Sequence, residues 1–416
     1  MSTTFRVAWL LARRSIQHAN IFTSIFIVTV MMLTFLNLIF VGGILIGMPA
    51  GLSIAFNKQY TGDILISALQ GRSYIDESQN IIEKIRSTPG VVGMATRYLT
   101  SGTIRADYRD SLVGDQKPDE VIAEIAGINV IAESKLSNLD DNLIEGTYLN
   151  SFDRDYILIG SALLEEYSLG EIAGFQTIKN VKVGDKLLLS IGPIDRVVTV
   201  KGIIDSKVRE VMQRIYMPER ELRQLIGRSD FNVDEIAVRL SSDVSSEEIR
   251  DKFISQGIGT FAQVQTSVQA QGQLIEDIKI TFRVLGDIIG SIGLIVGSIT
   301  LFIVIFINAI FRRKNIGILK GIGISGLSIE ISYVMQAAFY SLFGVFLGVI
   351  LLYTILVPYF SSHPIDFPLS DGILVASFDD VIPRALLLFV MSLVAGYVPS
   401  HIIVRRNALD SILGRK

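Results

Sequence analysis

Four long stretches of the chain contain no Asp, Glu, Lys or Arg and are mostly apolar. They are residues Ile21–Met48, Ile288–Phe311, Ile331–Phe360 and Ala385–Val404. Each reaches the roughly 20 residues that a helix needs to cross a bilayer. We therefore predict four transmembrane helices, at 21–48, 281–311, 331–360 and 384–404. The first run exceeds the apolar region of about 7–15 residues in a secretory signal peptide, so we expect it to be retained.

Residues 49–280, which we call the outer domain, have the mixed pattern of a folded α/β unit. Strand-type residues near 64–67 are followed by a helical spacing of Ile81, Ile82 and Ile85 and by a second strand at 91–106. A similar series occupies 235–240, 245–256 and 261–266, with a Ser245–Glu248 capping pattern at the start of its helix. The outer domain is thus predicted to contain two βαβ-like halves.

Between these halves lies a more strand-rich section. Gly184-Asp185 and Gly192-Pro193 interrupt β-type runs in residues 181–205, which predicts a small β-rich module. Just before it, residues 156–167 indicate a buried strand that turns into a helix. After Thr266 no helix-stop signal is evident, so an uninterrupted helix over 268–311 is predicted as a rigid stalk.

Composition supports a membrane protein and charge orients it. Half of the 416 residues are hydrophobic, the mean hydropathy is +0.47, and cysteine is absent. The 38 basic and 41 acidic residues nearly cancel, which argues against a nucleic-acid partner. Basic residues are concentrated in 1–20, 312–330 and 405–416, whereas 361–383 contains four Asp and no Lys or Arg. The positive-inside rule then predicts cytoplasmic termini and a cytoplasmic 312–330 loop, with the outer domain and the 361–383 loop extracytoplasmic.

The predicted fold class is therefore a membrane α-helical protein with four transmembrane helices. A large extracytoplasmic α+β domain is inserted between helices 1 and 2. A location in the cytoplasmic membrane follows from this topology.

Motifs for catalysis or cofactor binding are weak or absent from the sequence. Gly321, Gly323 and Gly326 match G-x-G-x-x-G, but a dinucleotide site needs a preceding buried strand, and here a predicted membrane helix precedes the motif. There is no G-x-x-x-x-G-K-[ST] loop and no G-x-S-x-G elbow. His18, His363 and His401 are too scattered to predict a metal site. We predict no cofactor, no metal and no enzymatic activity, leaving open only a membrane-bound enzyme with a dispersed site.

Small residues recur within the predicted membrane helices. Their G-x-x-x-G spacing permits close approach of helices, either within one chain or between two chains. The glycines concerned are Gly43, Gly47, Gly51, Gly286, Gly290, Gly293, Gly297, Gly344 and Gly348. Asn37, Asn308 and Gln336 are available for hydrogen bonds between helices. The absence of charged residues from the runs disfavours an ion-coupled transporter.

The loop after the second predicted helix reads RRKNIGILKGIGIS at 312–325 and carries a family resemblance. Together with the order of one helix, a large domain and three helices, it resembles the MacB/FtsX/LolC family of ABC transporter permeases along nearly the whole chain. The proline and basic residues of VPSHIIVRRNALDSIL also resemble the end of that family. Asn315 stands where the family often has Glu, and Ser411 where a proline is common.

The resemblance implies that 312–330 is a coupling helix that docks on a separate cytoplasmic ATPase. The implied contact residues are Arg312, Arg313, Lys314, Ile316, Gly317, Ile318, Leu319, Lys320 and Gly323. From helical spacing we expect Ile316, Leu319 and Ile322 to share one face, while Lys314 and Lys320 stay solvated. The alternative is a basic turn that only anchors the loop at the membrane.

The resemblance also implies a function and partners. The leading hypothesis is a permease subunit that exports or extracts an amphipathic substrate, driven by ATP hydrolysis in the partner and by mechanical movement of the outer domain. The alternative is an FtsX-like regulator that activates an extracytoplasmic hydrolase. Expected partners are the ATPase, a second permease chain in a homo- or heterodimer, an extracytoplasmic adaptor or hydrolase, and membrane lipid.

Overall fold

A computed structural model describes residues 3–108, 118–167, 176–311, 313–363, 365–366, 371–372 and 374–405. The chain forms two compact units. The membrane unit comprises Met1–Pro49, Ile278–Ile365 and Gly372–Lys416. The second unit is the outer domain, with bounds Ala50–Asp277 and the short segment Asp366–Asp371.

Two helices begin the chain, α1 (Thr3–Gln17) and α2 (Ile21–Phe56). Residues 1–20 were predicted only as a cytoplasmic segment, so helix α1 was not predicted from the sequence. It forms because Ala8 and Ala12 lie one turn apart on a face that is buried in the membrane unit. Helix α2 is longer than the predicted 21–48 run and continues into a π-helical turn at Asn57–Thr61.

The outer domain contains a ten-stranded sheet in its described part. The strands are β1 (Ile64–Ala68), β2 (Val91–Arg105), β3 (Glu120–Ile128), β4 (Leu143–Gly146), β5 (Tyr156–Gly160), β6 (Lys186–Ile191), β7 (Ile194–Ile204), β8 (Arg214–Pro218), β9 (Glu235–Leu240) and β10 (Ala262–Thr266). Its helices are α3 (Ser78–Ser87), α4 (Val130–Ser137), α5 (Arg209–Met212), α6 (Glu219–Leu225), α7 (Ser246–Ser255) and α8 (Ser267–Ala270).

The first half of the sheet has the strand order β10-β1-β9-β2. Strand β1 is antiparallel to both β10 and β9, and β9 is antiparallel to β2. The units β1-α3-β2 and β9-α7-β10 therefore interleave as a split βαβ fold. Each crossover leaves a gap that a strand of the other unit fills, so the two predicted βαβ-like units lie in one continuous sheet.

The second half of the sheet closes on itself. Strand pairs β2–β3, β3–β8, β8–β5, β5–β7, β7–β6 and β6–β2 form a ring of six strands. Alternate side chains point inward, among them Ile104, Ile125, Ile159 and Leu189, and all four are fully buried. The 15-residue strand β2 belongs to both halves and joins them.

Two local predictions in the outer domain are wrong. Within the described residues 161–167, strand β5 is followed by the 3-10 turns Ser161–Leu163 and Glu165–Tyr167 rather than by an α-helix. Ser245 is the N-cap of α7, but its hydroxyl donates to Glu247 rather than forming the predicted capping box with Glu248. A neighbouring acid competes here for the capping hydroxyl.

The remaining helices are α9 (Gly272–Phe311), α10 (Arg313–Gly321), α11 (Gly326–Leu351), α12 (Val357–Ser362) and α13 (Phe378–Val404). A π-helical turn at Leu352–Leu356 connects α11 to α12, and a two-residue strand pair, β11 (Ile365–Asp366) and β12 (Asp371–Gly372), follows. Four helical stretches are long and apolar enough to cross a membrane. They support the predicted membrane fold with its inserted α+β domain.

Several predicted helix bounds need correction. The predicted stalk over 268–311 is interrupted, because α8 ends at Ala270 and α9 begins at Gly272, which has a φ of +74°. Helix α11 begins at Gly326, and α13 begins at Phe378, before the charge-free runs used for prediction. The predicted helices began too late because the charge-free runs left out the charged side chains near the beginning of α11 and α13. Of the predicted tail 405–416, residues 406–416 lie outside the described residues.

Candidate functional site

Helix α10 occupies the loop that was predicted to dock a partner, and it is shorter than the predicted 312–330. Gly323 has a φ of +93°, and the amide of Ile324 donates to the carbonyl of Leu319 over 3.1 Å. This is a Schellman-type helix end, for which glycine is favoured. Ser325 then caps α11 by accepting a hydrogen bond from the amide of Ser328. The glycine pattern thus ends one helix and begins the next.

One side of α10 packs into the core of the membrane unit. Ile316 is only 3% exposed, Gly317 is buried, and Leu319 is half-buried against the same core. The ammonium of Lys320 donates to the carbonyl oxygen of Val404 over 2.8 Å. The prediction that Ile316, Leu319 and Ile322 form one exposed face is therefore wrong, because Ile316 and Leu319 pack against the helix bundle. Lys320 was predicted to be solvated, but it is hydrogen-bonded to Val404.

The opposite side of α10 is exposed. Lys314 and Asn315 lie there with Ile318, and Ile322 follows one turn later with 71% of its surface exposed. Residues 314, 318 and 322 are four apart and so share one helix face. Arg312 and the side chain of Arg313 lie outside the described residues. The exposed side of α10 therefore presents a cation, an amide and two isoleucines.

Helices α11 and α13 share a partly buried polar pair. Glu330 of α11 is buried, and its carboxylate is 3.1 Å from Nδ1 of His401 on α13. The Tyr397 hydroxyl approaches the same ring nitrogen at 3.4 Å. Sequence reasoning missed the pair because Glu330 was used to delimit the third membrane run. Among the described residues, no group of three or more His, Cys, Asp or Glu is arranged to hold a metal.

The glycines of the membrane helices lie at close contacts that involve α2. A Cβ on Gly297 would overlap the Thr34 side chain, and one on Gly344 would lie 2.5 Å from Cβ of Met31. The other close glycines are Gly43, against Val375; Gly286, against Gly42; Gly290, against Leu38; Gly293, against Asn37; and Gly348, against Phe35. Gly47 is buried as well. These contacts lie within one chain and correspond to the intramolecular one of the two packing roles predicted for the glycines.

The outer domain contains a second polar centre where the chain leaves α2. Tyr60 belongs to the π-helical turn and lies between two guanidinium groups, with Arg97 at 5.0 Å and Arg214 at 4.9 Å from its ring centre. Its hydroxyl donates to Glu235 over 2.8 Å, and its carbonyl oxygen accepts from Arg97 over 2.6 Å. We call Tyr60, Arg97, Glu133, Arg214 and Glu235 the buried cluster.

The buried cluster balances its own charges. Arg97 contacts Glu133 at 2.6 Å and Glu235 at 3.2 Å, while Arg214 contacts Glu235 at 3.2 Å. Burial by itself would raise the pKa of Glu235, but the positive charges of Arg214 and Arg97 outweigh it and lower that pKa to about 2. Burial raises the pKa of the Tyr60 hydroxyl, which therefore stays protonated and donates.

The two chain segments that enter and leave the outer domain are hydrogen-bonded to each other. Ser53 donates to the side chain of Gln271 over 2.7 Å, and Thr61 donates to the Ser267 hydroxyl over 2.9 Å. Helices α2 and α9 each have residues in both units. The outer ends of these two helices are thus joined inside the outer domain, next to the buried cluster.

Comparison with known proteins identifies the family. A model of the MacB-like periplasmic core domain matches residues 24–256, more than half of the chain. The chain belongs to the MacB/FtsX-type family of ABC transporter permeases. The model of the FtsX-like permease C-terminal region matches residues 288–408 of this permease and includes α10. The family resemblance of the 312–325 loop is thereby confirmed.

Individual relatives of the permease are distant. An uncharacterized ABC transporter permease of Methanocaldococcus jannaschii is 23% identical over 282 residues, which is 65% of this chain and 61% of the relative. A macrolide export ATP-binding/permease protein MacB of Campylobacter jejuni is 28% identical over 193 residues, covering 45% of this chain and 29% of the relative. The chain thus spans less than two thirds of these relatives.

Two solved structures are similar to part of the permease. The periplasmic region of MacB from Actinobacillus actinomycetemcomitans matches with a TM-score of 0.35 and 15% identity, covering 51% of this chain and 92% of that structure. The extracellular domain of the Gram-positive transporter YknZ matches with a TM-score of 0.30 and 15% identity, covering 49% and 98%.

Proposed function

We propose that this permease converts ATP hydrolysis by a separate cytoplasmic ATPase into movement of its outer domain, and so exports or extracts an amphipathic substrate. The observation that carries the proposal is the two-sided helix α10. Ile316 and Lys320 fix it to the membrane unit, whereas Ile318 and Ile322 are exposed. Exposed isoleucines on a polar loop are favourable when a partner covers them.

The orientation belongs to the same proposal. Arg6, Arg13 and Arg14 precede α2, and Lys314 and Lys320 lie on α10, while the 361–383 loop is acidic. By the positive-inside rule, this distribution of charge supports cytoplasmic termini and a cytoplasmic α10, on the side of the membrane where the proposed ATPase would act. A transporter of this class would contain two permease chains, alike or different, with two ATPase chains.

Transmission of force needs a firm connection at the outer end. The buried cluster holds Tyr60, which follows directly on α2, and the Ser53–Gln271 bond ties α2 to the start of α9. A movement of either helix would therefore be passed to the sheet through β2, which carries Arg97. Gly272, whose φ of +74° favours glycine, is a position at which a movement of α9 could change the direction of the chain.

The docking surface is tested by the variant Ile322→Asp, with the candidate ATPase co-expressed and recovered on the tagged permease. A carboxylate in a covered apolar contact should reduce the recovered ATPase at least about tenfold. Ile122→Asp is the matched control, because Ile122 is similarly exposed at 70% but lies on strand β3 of the outer domain.

The control variant should recover the ATPase like the unaltered permease. Undiminished recovery with Ile322→Asp would reject docking through the exposed side of α10. Equal losses in both variants would indicate a general defect instead. Ile316→Asp is not suitable for this test, because Ile316 is part of the membrane-unit core.

The alternative function, an FtsX-like activator of an extracytoplasmic hydrolase, uses the same motion. The match of residues 24–256 to a MacB-like core domain favours the exporter. In the proposed exporter, an extracytoplasmic adaptor or hydrolase would be a binding partner of the outer domain.

A further inference from the structure

The membrane unit contains an open apolar groove of about 490 Å³ at the end of α1. Its walls come from the first turns of α2 and from the middle of α11, with Ile25, Val28, Phe339, Phe343 and Leu347 as main apolar residues. The lining residues extend from Ile21 to Thr29 on α2 and from Phe339 to Leu347 on α11. At 1.5 Å per residue, each wall is about 12 Å long, close to the depth of one leaflet of the hydrocarbon core.

One end of the groove is polar. Ser24 and Tyr340 contribute hydroxyl groups that are 3.2 Å apart, and Gln17 of α1 lines the same end. Arg13 lies one helical turn before Gln17 and therefore on the same side of α1. Arg14 is its exposed neighbour. The sequence contains no Asp or Glu before Asp63, so no acid of this segment offsets these cations.

The outer surface of α1 matches the chemistry of a membrane interface. Trp9 and Leu10 are at least half exposed, and the Arg13 guanidinium lies 5.4 Å from the Trp9 ring centre. Aromatic, apolar and cationic side chains together on a short helix are typical of helices that lie at the lipid headgroups. With α1 at the headgroups, the polar end of the groove would lie at headgroup level, one helical turn from Arg13, and its apolar walls at acyl-chain level.

We propose that this groove binds one acyl chain of an anionic phospholipid, whose phosphate contacts Arg13 and the Ser24–Tyr340 hydroxyl pair. Charge complementarity selects this occupant over a zwitterionic lipid or a second copy of the chain. The bound lipid would fill the gap between α1, α2 and α11 and hold α1 in place.

The full-length permease is reconstituted in nanodiscs of phosphatidylcholine mixed with phosphatidylglycerol, extracted gently and examined by native mass spectrometry. The expected result is one retained phosphatidylglycerol per chain. Arg13→Gln/Arg14→Gln should lower its retention at least about tenfold, whereas Arg283→Gln, which removes an exposed cation of α9, should not.

A second variant tests the groove itself. Ile25→Trp places a large side chain at a half-exposed lining position, and it should abolish retention of the acyl chain. Leu386→Trp is the matched control on α13, since Leu386 is 61% exposed and is not a lining residue.

Three results would overturn the proposal. One is equal retention of phosphatidylcholine and phosphatidylglycerol by the unaltered permease. Another is unchanged phosphatidylglycerol in both Ile25→Trp and the double arginine variant. The third is loss of a chain–chain complex in Ile25→Trp without loss of lipid, which would assign the groove to a second copy.

Discussion

The outer domain and the membrane unit differ in the kinds of polar side chain that they bury. The outer domain buries two arginines and two glutamates together, with Tyr60 between them. The described core of the membrane unit instead combines close glycine contacts with buried hydroxyl groups, the amide of Gln336 and the carboxylate of Glu330, which faces His401.

The difference follows from the solvent of each unit. In water, apolar burial drives folding, so the outer domain can accommodate buried charges where a specific connection is needed. In lipid, apolar side chains gain little from meeting one another, and helices associate through close packing. The buried charges therefore define one connection, at the end of α2, while glycines set the spacing around α2 within the membrane unit.

Removal of one charge from the buried cluster is expected to have the largest effect. Arg97→Met would leave Glu133 without its guanidinium partner, and an uncompensated buried charge costs about 3–5 kcal/mol of the free energy of unfolding. The measurement is pulse proteolysis of the outer domain in urea, on the full-length permease.

The control for this prediction is Arg105→Met. Arg105 pairs with Glu120 on the neighbouring strand β3, but both side chains are about one-third exposed. A pair of this kind contributes below about 1 kcal/mol. Similar urea midpoints for the two variants would contradict a special role of the buried cluster.

A smaller loss is expected from Gly344→Ala in the membrane unit. The new Cβ would lie 2.5 Å from Cβ of Met31 and 3.0 Å from the backbone nitrogen of Met32, so α2 and α11 would have to separate, which costs about 1–3 kcal/mol. The temperature at which the detergent-solubilised protein loses its monodisperse chromatographic peak should fall.

Gly321→Ala is the matched control, because no atom lies within 4 Å of its added Cβ. At this open helical position alanine should stabilise or be neutral, as its helix propensity exceeds that of glycine. A fall in both variants would argue that glycine is needed at both positions for its backbone freedom rather than for packing.

The sequence predicted the elements better than their partners. Local periodicity predicted strands β1, β2, β5, β6, β7, β9 and β10 and helices α3 and α7, but not β3, β4, β8, α4, α5 or α6. The sheet order depends on β2, which pairs with three other strands along its length. Local patterns contain no information on such register. The buried cluster was missed for the same reason, since Arg97 is 36 residues from Glu133 and 138 from Glu235.

For α10, the sequence located the helix but not the orientation of its faces. Ile316 and Leu319 form one apolar row, and Ile318 and Ile322 form another. Helical periodicity alone gives two rows and does not say which one packs against the bundle. That choice depends on Val404 and Ile329, which belong to helices α13 and α11.

The smallest expected effect, taken per pH unit, is a pH dependence of the outer domain. The pKa of Glu235 is lowered from 4.5 to about 2 in the folded protein, so its contribution is complete above pH 4.5 and is lost as the pH falls toward 2. This group alone adds a slope of about 1 kcal/mol per pH unit in that window. Pulse proteolysis at several pH values should show that slope for the unaltered protein and a flatter profile for Glu235→Gln. Tyr60→Phe is the control, because it removes a neutral partner but keeps both guanidinium groups, so its profile should remain steep. If Glu235→Gln parallels the unaltered protein between pH 4.5 and 2, the two arginines do not hold this carboxylate ionised. The buried cluster could then not be the charged connection that distinguishes the outer domain from the membrane unit.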